Sequence, residues 1–510
     1  MSKVSRKTSD KAPDDKATSA LANQGSPFAF SRPLDVHRWS DFPEADRFVD
    51  QVYSTYFNGK DSKQIERKHV KVILLDLYVA WLEHPDLKIA VSMRPSTYKS
   101  KGNRYNALRI SKKTIEVVDD LIAAGLIEQK RGSYNRQLKS GWITRIWPTP
   151  ELVTLFRQSN LDVYKVGRTP DEEVIILRND EREDIEYEDT AETVEMRELV
   201  QTYNKVLSLH WIDIRRLEDP WIELKDGTKL IIGRHRQQVK RIFNRSSFSK
   251  GGRFFGPWWQ QCPKEWRRQI FIDDAPTVEQ DYSSLHVGLL YARRGVNYYE
   301  SFEGDAYQVD TPPFLSSPEQ TRKYAKLLLL MAVNAKSDKE AYAAFRNDRN
   351  ERRDKLGGSL TNDQLSVLLD GLKSKHPLIA EDLGSDAGID LMNQDARMTE
   401  HVIRRFTEQG TPVLTVHDSY IVKFGYEKFL DEVLAEAYTM LTGQEGIKST
   451  VTGVAMNNPQ SWHTQKPPEG SMIRCGGYER REIDWCCYLN EVKYGHLGPM
   501  PEVGWVPKGD

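Results

Sequence analysis

Val278-Glu-Gln-Asp-Tyr-Ser-Ser-Leu-His-Val-Gly-Leu-Leu-Tyr291 decides how the rest of the chain is read. An apolar, β-prone approach delivers Asp281, and a run with helical spacing follows it. Asp281 is therefore expected at the end of a strand, with Leu285, Leu289 and Leu290 anchoring the helix after it. A single Asp at such a junction is ordinarily a helix N-cap. A second stretch, Val413-Leu-Thr-Val-His-Asp-Ser-Tyr-Ile-Val422, changes that reading. Two β-rich runs flank His417-Asp418-Ser419, the pattern of a hairpin with its acid at the turn. Two carboxylates from two strands of one sheet suit a pair of divalent cations. Such a pair, roughly 3.5–4 Å apart, clamps the attacking and leaving oxygens of phosphoryl transfer.

The chain has 510 residues, enough for more than one domain and a substantial core. Its 73 Lys and Arg nearly balance 74 Asp and Glu, so any nucleic-acid partner must be met by local patches and not by a global field. Cys262, Cys475, Cys486 and Cys487 show no repeated CxxC spacing, which argues for reduced thiols over a zinc site. No apolar run is long enough to cross a bilayer, and the polar N-terminus lacks the hydrophobic segment of a signal peptide. A soluble, cytoplasmic protein with no membrane partner is expected.

Residues 1–33, rich in Ser, Lys, Asp, Ala and Pro, read as a disordered tail. Residues 34–168 read as a compact unit. The run His69 to Leu82 has the apolar spacing of a buried helix, and Ile110 to Gly125 predicts a second helix with Ser111 as N-cap and Gly125 as stop. Leu126 to Lys130 and Trp142 to Trp147 predict two strands joined by a basic loop. Helix, glycine, strand, basic loop, strand is the order of a winged helix–turn–helix. Lys112 and Lys113 would sit at the helix start, and Lys130, Arg131, Arg136 and Lys139 on the wing, the places that meet phosphates and grooves. A protein-docking module with solvated lysines fits the same pattern. Residues 169–196 carry a dense acidic run and read as a linker.

Residues 197–510 read as the second domain. Arg234, Arg236, Lys240, Arg241 and Arg245 precede the aromatic stretch Gly251 to Pro263, a mixture suited to a phosphodiester backbone and stacked bases. Between the two acidic strands, Arg322, Lys326, Leu330 and Asn334 recur every four residues. On a helix they form one slowly turning stripe, and its two cations suit a triphosphate.

Together these stretches resemble family A nucleic-acid polymerases, the group of bacterial DNA polymerase I and the single-subunit phage and mitochondrial RNA polymerases. Asp281-Tyr-Ser is similar to the first palm motif in its DNA-polymerase form. Arg322-x3-Lys326 is similar to the fingers helix that grips the incoming triphosphate. Val416-His-Asp-Ser419 is similar to the second palm acid in a form closer to the RNA polymerases. Smaller echoes follow in order: Gly252-Arg253 with Gln260-Gln-Cys-Pro263, Gly304-Asp-Ala-Tyr307, and Gln394-Asp-Ala ahead of Arg397 to Phe406. The resemblance covers about Arg245 to Phe424. It departs from the family at His286, where the DNA enzymes have Glu, and at Leu330 and Asn334, where an aromatic or Met and then a Tyr are usual.

The resemblance implies an α+β right-hand fold: a palm, fingers at about 305–380 and a reduced thumb, with the winged helix added and no room for a proofreading exonuclease. It implies two Mg²⁺ ions held by Asp281, Asp418 and the carbonyl of Tyr282. Arg322 and Lys326 would bind the triphosphate, while His286, Asn334 and Leu330 line the nucleotide's sugar pocket. Arg253, Gln260, Gln394 and His417 would meet a DNA primer-template. The expected function is a DNA polymerase of a phage, plasmid or other mobile element. The alternatives are an RNA polymerase or primase, with RNA as a partner, and a non-catalytic DNA-binding replication initiator or regulator.

Overall fold

The structure is a computed structural model that describes residues 30–57, 63–98, 104–135, 140–453 and 473–494. Arg136, Lys139 and nearly all of the expected tail lie outside the described residues. The chain mixes α and β structure and divides into two compact units. One comprises 1–173, 219–231 and 484–496; the other comprises 174–218, 232–483 and 497–510.

The first unit begins with Ser31–Pro33 (β1), which the sequence assigns to the tail but which pairs in parallel with Lys88–Val91 (β2). Between them run helices Pro43–Tyr56 (α1) and Lys63–Glu83 (α2). After β2 come Lys113–Ala123 (α3), Ile127–Lys130 (β3), a small hairpin of Ser133–Asn135 (β4) and Ser140–Trp142 (β5), then Thr144–Pro148 (β6) and Pro150–Gln158 (α4). The sheet order is β1-β2-β6-β3. The expected order of helix, glycine and two strands is present, with the small hairpin of β4 and β5 where a basic loop is expected between them. Gly125 ends α3 in the left-handed region (φ 72°), and the Leu126 N–H reaches back 3.0 Å to the Leu121 carbonyl, a C-cap that favours glycine. The start lies one residue later than expected. Lys112 is the N-cap, and Ser111 Oγ accepts from the Lys113 N–H at 3.3 Å.

Helix α2 is apolar from Val70 to Ala80 except at Lys71 and Asp76, and it is buried on every face there. Asp76, fully buried within that run, survives there because Arg32 donates to it at 2.7 Å, Arg38 at 3.3 Å and the Asp35 N–H at 2.9 Å. This knot ties the segment after β1 to α2.

The second unit starts inside the acidic stretch expected as a linker. Val174 and Ile175–Leu177 (β7) are buried, and β7 pairs in parallel with Lys240–Asn244 (β9). Thr190 forms a capping box on Ala191–Ser208 (α5). Four apolar residues within the acidic run therefore fold it into the unit. β9 pairs with Ser247–Phe255 (β10) through a register shift at Gly251 and Gly252. The main sheet has the order β8-β11-β12-β14-β13, where β8 is Ile212–Ile214, β11 Ile270–Ile272, β12 Ala275–Tyr282, β13 Val413–Val416 and β14 Ser419–Lys423. Ser449–Gly453 (β15) also pairs with β12. Helices Leu285–Ala292 (α6), Pro318–Asn334 (α7), Asp338–Glu351 (α8), Asn362–Lys375 (α9) and Gly388–Glu408 (α10) lie between β12 and β13 in sequence, and Glu427–Thr442 (α11) follows β14.

Asp76→Ala would leave two buried guanidinium groups without their carboxylate. A loss of about 3–5 kcal/mol is expected, read as a lower denaturant midpoint in equilibrium unfolding.

Candidate active site

Strand pairing builds the site. β12 runs antiparallel to β14 with Asp281 opposite Ser419, which places Asp418, at the turn before Ser419, beside Asp281. The β13–β14 hairpin closes with Val416 opposite Ser419, so His417 and Asp418 form a two-residue turn as the sequence predicts. His417 takes φ 59°, a left-handed conformation that a non-glycine residue adopts at a cost of about 1 kcal/mol or more. Asp281 is not a helix cap. Ser284 holds that position ahead of α6, also left-handed (φ 56°) and without a side-chain cap bond.

Oδ1 of Asp281 is buried and has no hydrogen-bond partner among the described residues. Burial and the neighbouring Asp418 charge push the Asp281 carboxyl up to about 7, against the opposing pull of Lys326. Glu279, two residues back on the same strand face, is committed elsewhere: it accepts from Arg267 at 2.7 Å and from Ser419 Oγ at 3.0 Å. Among the described residues no group of three or more His, Cys, Asp and Glu is arranged to hold a metal. The site is a carboxylate pair.

Asp281 and Tyr282 line a cavity of about 530 Å³ together with Arg322 and Lys326 of α7. Arg322 donates to Asp305 at 2.6 and 2.8 Å, and those bonds hold the Asp305 carboxyl below its usual range despite its partial burial. Lys326 is exposed, with its ammonium 5.3 Å from the Tyr307 ring centre. Sequence reasoning missed other lining residues. Lys264 and Lys448 add cations, and Tyr299, Phe302 and Tyr307 add an aromatic wall. Glu279 was findable from the strand period of two; Lys264 and Lys448 come from distant segments and carry no local signal.

The other expected site residues lie elsewhere. Leu330 and Asn334 do not line the cavity; both are exposed, and the Asn334 amide donates 2.8 Å to the Leu330 carbonyl of its own helix. The recurrence every four residues drifts around a helix of 3.6 residues per turn, and that drift carries the stripe off the cavity. His286 is outside the cavity too, 3.1 Å from Asp395. Arg253 also donates to Asp395. Gln394 accepts from Arg293 at 3.1 Å, and Gln260 donates to the Phe254 and Thr415 carbonyls at 2.9 and 3.1 Å, so Gln260 braces the backbone. The Tyr282 hydroxyl donates to the Leu434 carbonyl at 3.1 Å, leaving only backbone for any ligand role. In the first unit Lys112 and Arg131 are exposed, whereas Lys113 pairs with Glu116 at 2.7 Å. No described helix is long and apolar enough to cross a membrane.

No protein-family model matches the chain, and none of the curated proteins matches it. Among solved structures, a similar chain is the POL domain of Pol1 from M. smegmatis in complex with DNA primer-template and dNTP. The match has 10% identity and a TM-score of 0.28 and covers 85% of this chain and 69% of that one. A likeness that low carries no argument about activity.

An acid whose folded pKa lies above its unfolded value holds its proton more tightly when folded. Asp281 goes from 3.8 to about 7, so its contribution favours folding below pH 4 and is lost as pH rises through 7. Without divalent cations, Asp281→Asn should therefore stabilise the protein at pH 8 by on the order of 1–3 kcal/mol. The gain should shrink towards pH 4, as measured by thermal unfolding across that range.

Proposed function

We propose that the second unit performs template-directed nucleotidyl transfer, extending a DNA primer with nucleoside triphosphates at Asp281 and Asp418. The reading rests on one observation: a buried, unpartnered carboxylate oxygen beside a second carboxylate, in a cavity that also holds Arg322 and Lys326. On this reading the β12–β14–β13 sheet is the palm and α7 belongs to the fingers. In the first unit, the exposed Lys112 and Arg131 mark a surface for duplex DNA in the manner of a winged helix.

The donor set fits Mg²⁺, which is commonly held by one or two carboxylates while phosphates and waters complete its shell. Asp281, Asp418 and the Tyr282 carbonyl would hold it. Held there, the cations would supply Lewis acidity towards a primer 3′-hydroxyl and positive charge towards the pyrophosphate oxygens. The protein's own groups do the rest. Asp281, whose carboxyl is pushed up to about 7 by burial and the neighbouring Asp418, would have to release its proton for a cation to bind. Lys326 and Arg322 oppose the charge that builds on the phosphates, and a phosphate competes with Asp305 for the Arg322 guanidinium. Tyr299, Phe302 and Tyr307 wall off one side of the cavity.

The test is extension of a labelled primer on DNA and RNA templates, with deoxy- or ribonucleotides and Mg²⁺. Extension with deoxynucleotides on DNA is expected, abolished in Asp281→Asn and Asp418→Asn and reduced about 10²-fold in Lys326→Ala. Preference for ribonucleotides would move the assignment to an RNA polymerase or primase. Tight DNA binding with no incorporation of either nucleotide would leave the non-catalytic initiator.

A further inference from the structure

Asp395 is 2% exposed on α10, and two donors from different elements meet on it. Arg253 of β10 donates through Nε at 3.0 Å and through Nη2, and His286 of α6 lies 3.1 Å away through Nε2. A carboxylate only accepts, so the His286 Nε2 carries the hydrogen. One guanidinium already balances the Asp395 charge. A second donor adds direction: it fixes the carboxylate, and the carboxylate fixes the plane of the guanidinium.

The guanidinium so fixed belongs to the strand face that looks at the catalytic turn. Phe255, two residues on and therefore on the same face of β10, has its ring 6.1 Å from that of His417. Asp418 and His417 both feel the Arg253 charge. Nη1 of Arg253 has no hydrogen-bond partner among the described residues, unlike Nε and Nη2. Gly252 helps to set this aim. It is left-handed (φ 82°), and a Cβ there would meet the Phe243 ring at 2.6 Å. Neighbouring pairs between the β9–β10 ribbon and the α10 segment differ. Lys250 with Asp390 and Arg245 with Asp386 are partly exposed, 21–43% by side chain, and can exchange with solvent ions; the Arg253–Asp395 pair cannot without stranding a buried carboxylate.

We infer that Asp395 and His286 are positioning residues that hold Arg253 with its third nitrogen presented to the 3′ end of a primer strand beside Asp418. This rests on the polymerase reading of Asp281 and Asp418. It gives His286 a role on the primer side of the site and not in the nucleotide's sugar pocket.

The experiment uses the full chain with Asp395→Asn, His286→Leu, His286→Gln and Arg253→Lys. Three quantities are read: affinity for a fluorescent primer-template without nucleotide, the nucleotide KM against the maximal extension rate, and the melting temperature. Asp395→Asn, His286→Leu and Arg253→Lys should weaken primer-template binding about tenfold while the nucleotide KM stays within about twofold. His286→Gln, which keeps a donor, should recover most of the loss. A raised nucleotide KM with unchanged primer affinity would overturn the inference, as would losses that merely follow the melting temperature without rescue by Gln. The polymerase reading fails separately, through absence of extension by the unsubstituted protein; the affinity comparison needs no extension.

Discussion

Two like charges held side by side at the end of a sheet set the terms for this protein. β12 and β14 pair so that Asp281 stands opposite Ser419, and the turn then leaves Asp418 no place but beside it. The arrangement is unfavourable in isolation: one oxygen of Asp281 is buried with no hydrogen-bond partner among the described residues, and the carboxyl is driven to hold its proton near neutrality. The surrounding sheet sustains it, because Val278, Val413, Leu414, Ile421 and Val422 are almost wholly buried and fix the register. Perturbed acids in a cleft cluster at functional sites more often than at structural ones.

Cations around the pair fall into two sets. The β9–β10 ribbon offers Arg241, Arg245, Lys250 and Arg253 to an acidic succession of Asp386, Asp390, Asp395 and Glu400 at the start of and along α10. Two arginines of the patch that reads in sequence as a nucleic-acid surface, Arg241 and Arg245, are thus engaged in holding strand to helix. The cavity cations are differently placed. Arg322 is lent to a partly exposed Asp305, and Lys326 stands free of ion pairs among the described residues, beside an aromatic ring. Charges on such a surface can be transferred to an arriving phosphate at small loss, because exposed ion pairs are weak.

The first unit follows a different economy of forces. Its sheet and helices close over an apolar core, and a fully buried acid there, Asp76, is answered by Arg32, Arg38 and a backbone N–H. What sets Asp281 apart is a second carboxylate beside its unpartnered oxygen, where Asp76 meets two guanidinium groups.

What the residues alone determined is local. The strand–acid–helix order at Asp281, the hairpin turn at Asp418, the glycine stop of α3 and the buried helix α2 follow from periodicity and turn chemistry, which act within a few residues. The pairing of Arg322 and Lys326 on one edge of α7 was equally legible, since four residues nearly complete a turn. Tertiary structure decided the rest. It carried Leu330 and Asn334 out of the cavity, drew His286 to Asp395, folded an acidic stretch around Val174 to Leu177, and brought Lys264 and Lys448 in from remote segments. A side chain's partner across 100 residues depends on how whole elements pack. No spacing within one stretch encodes that.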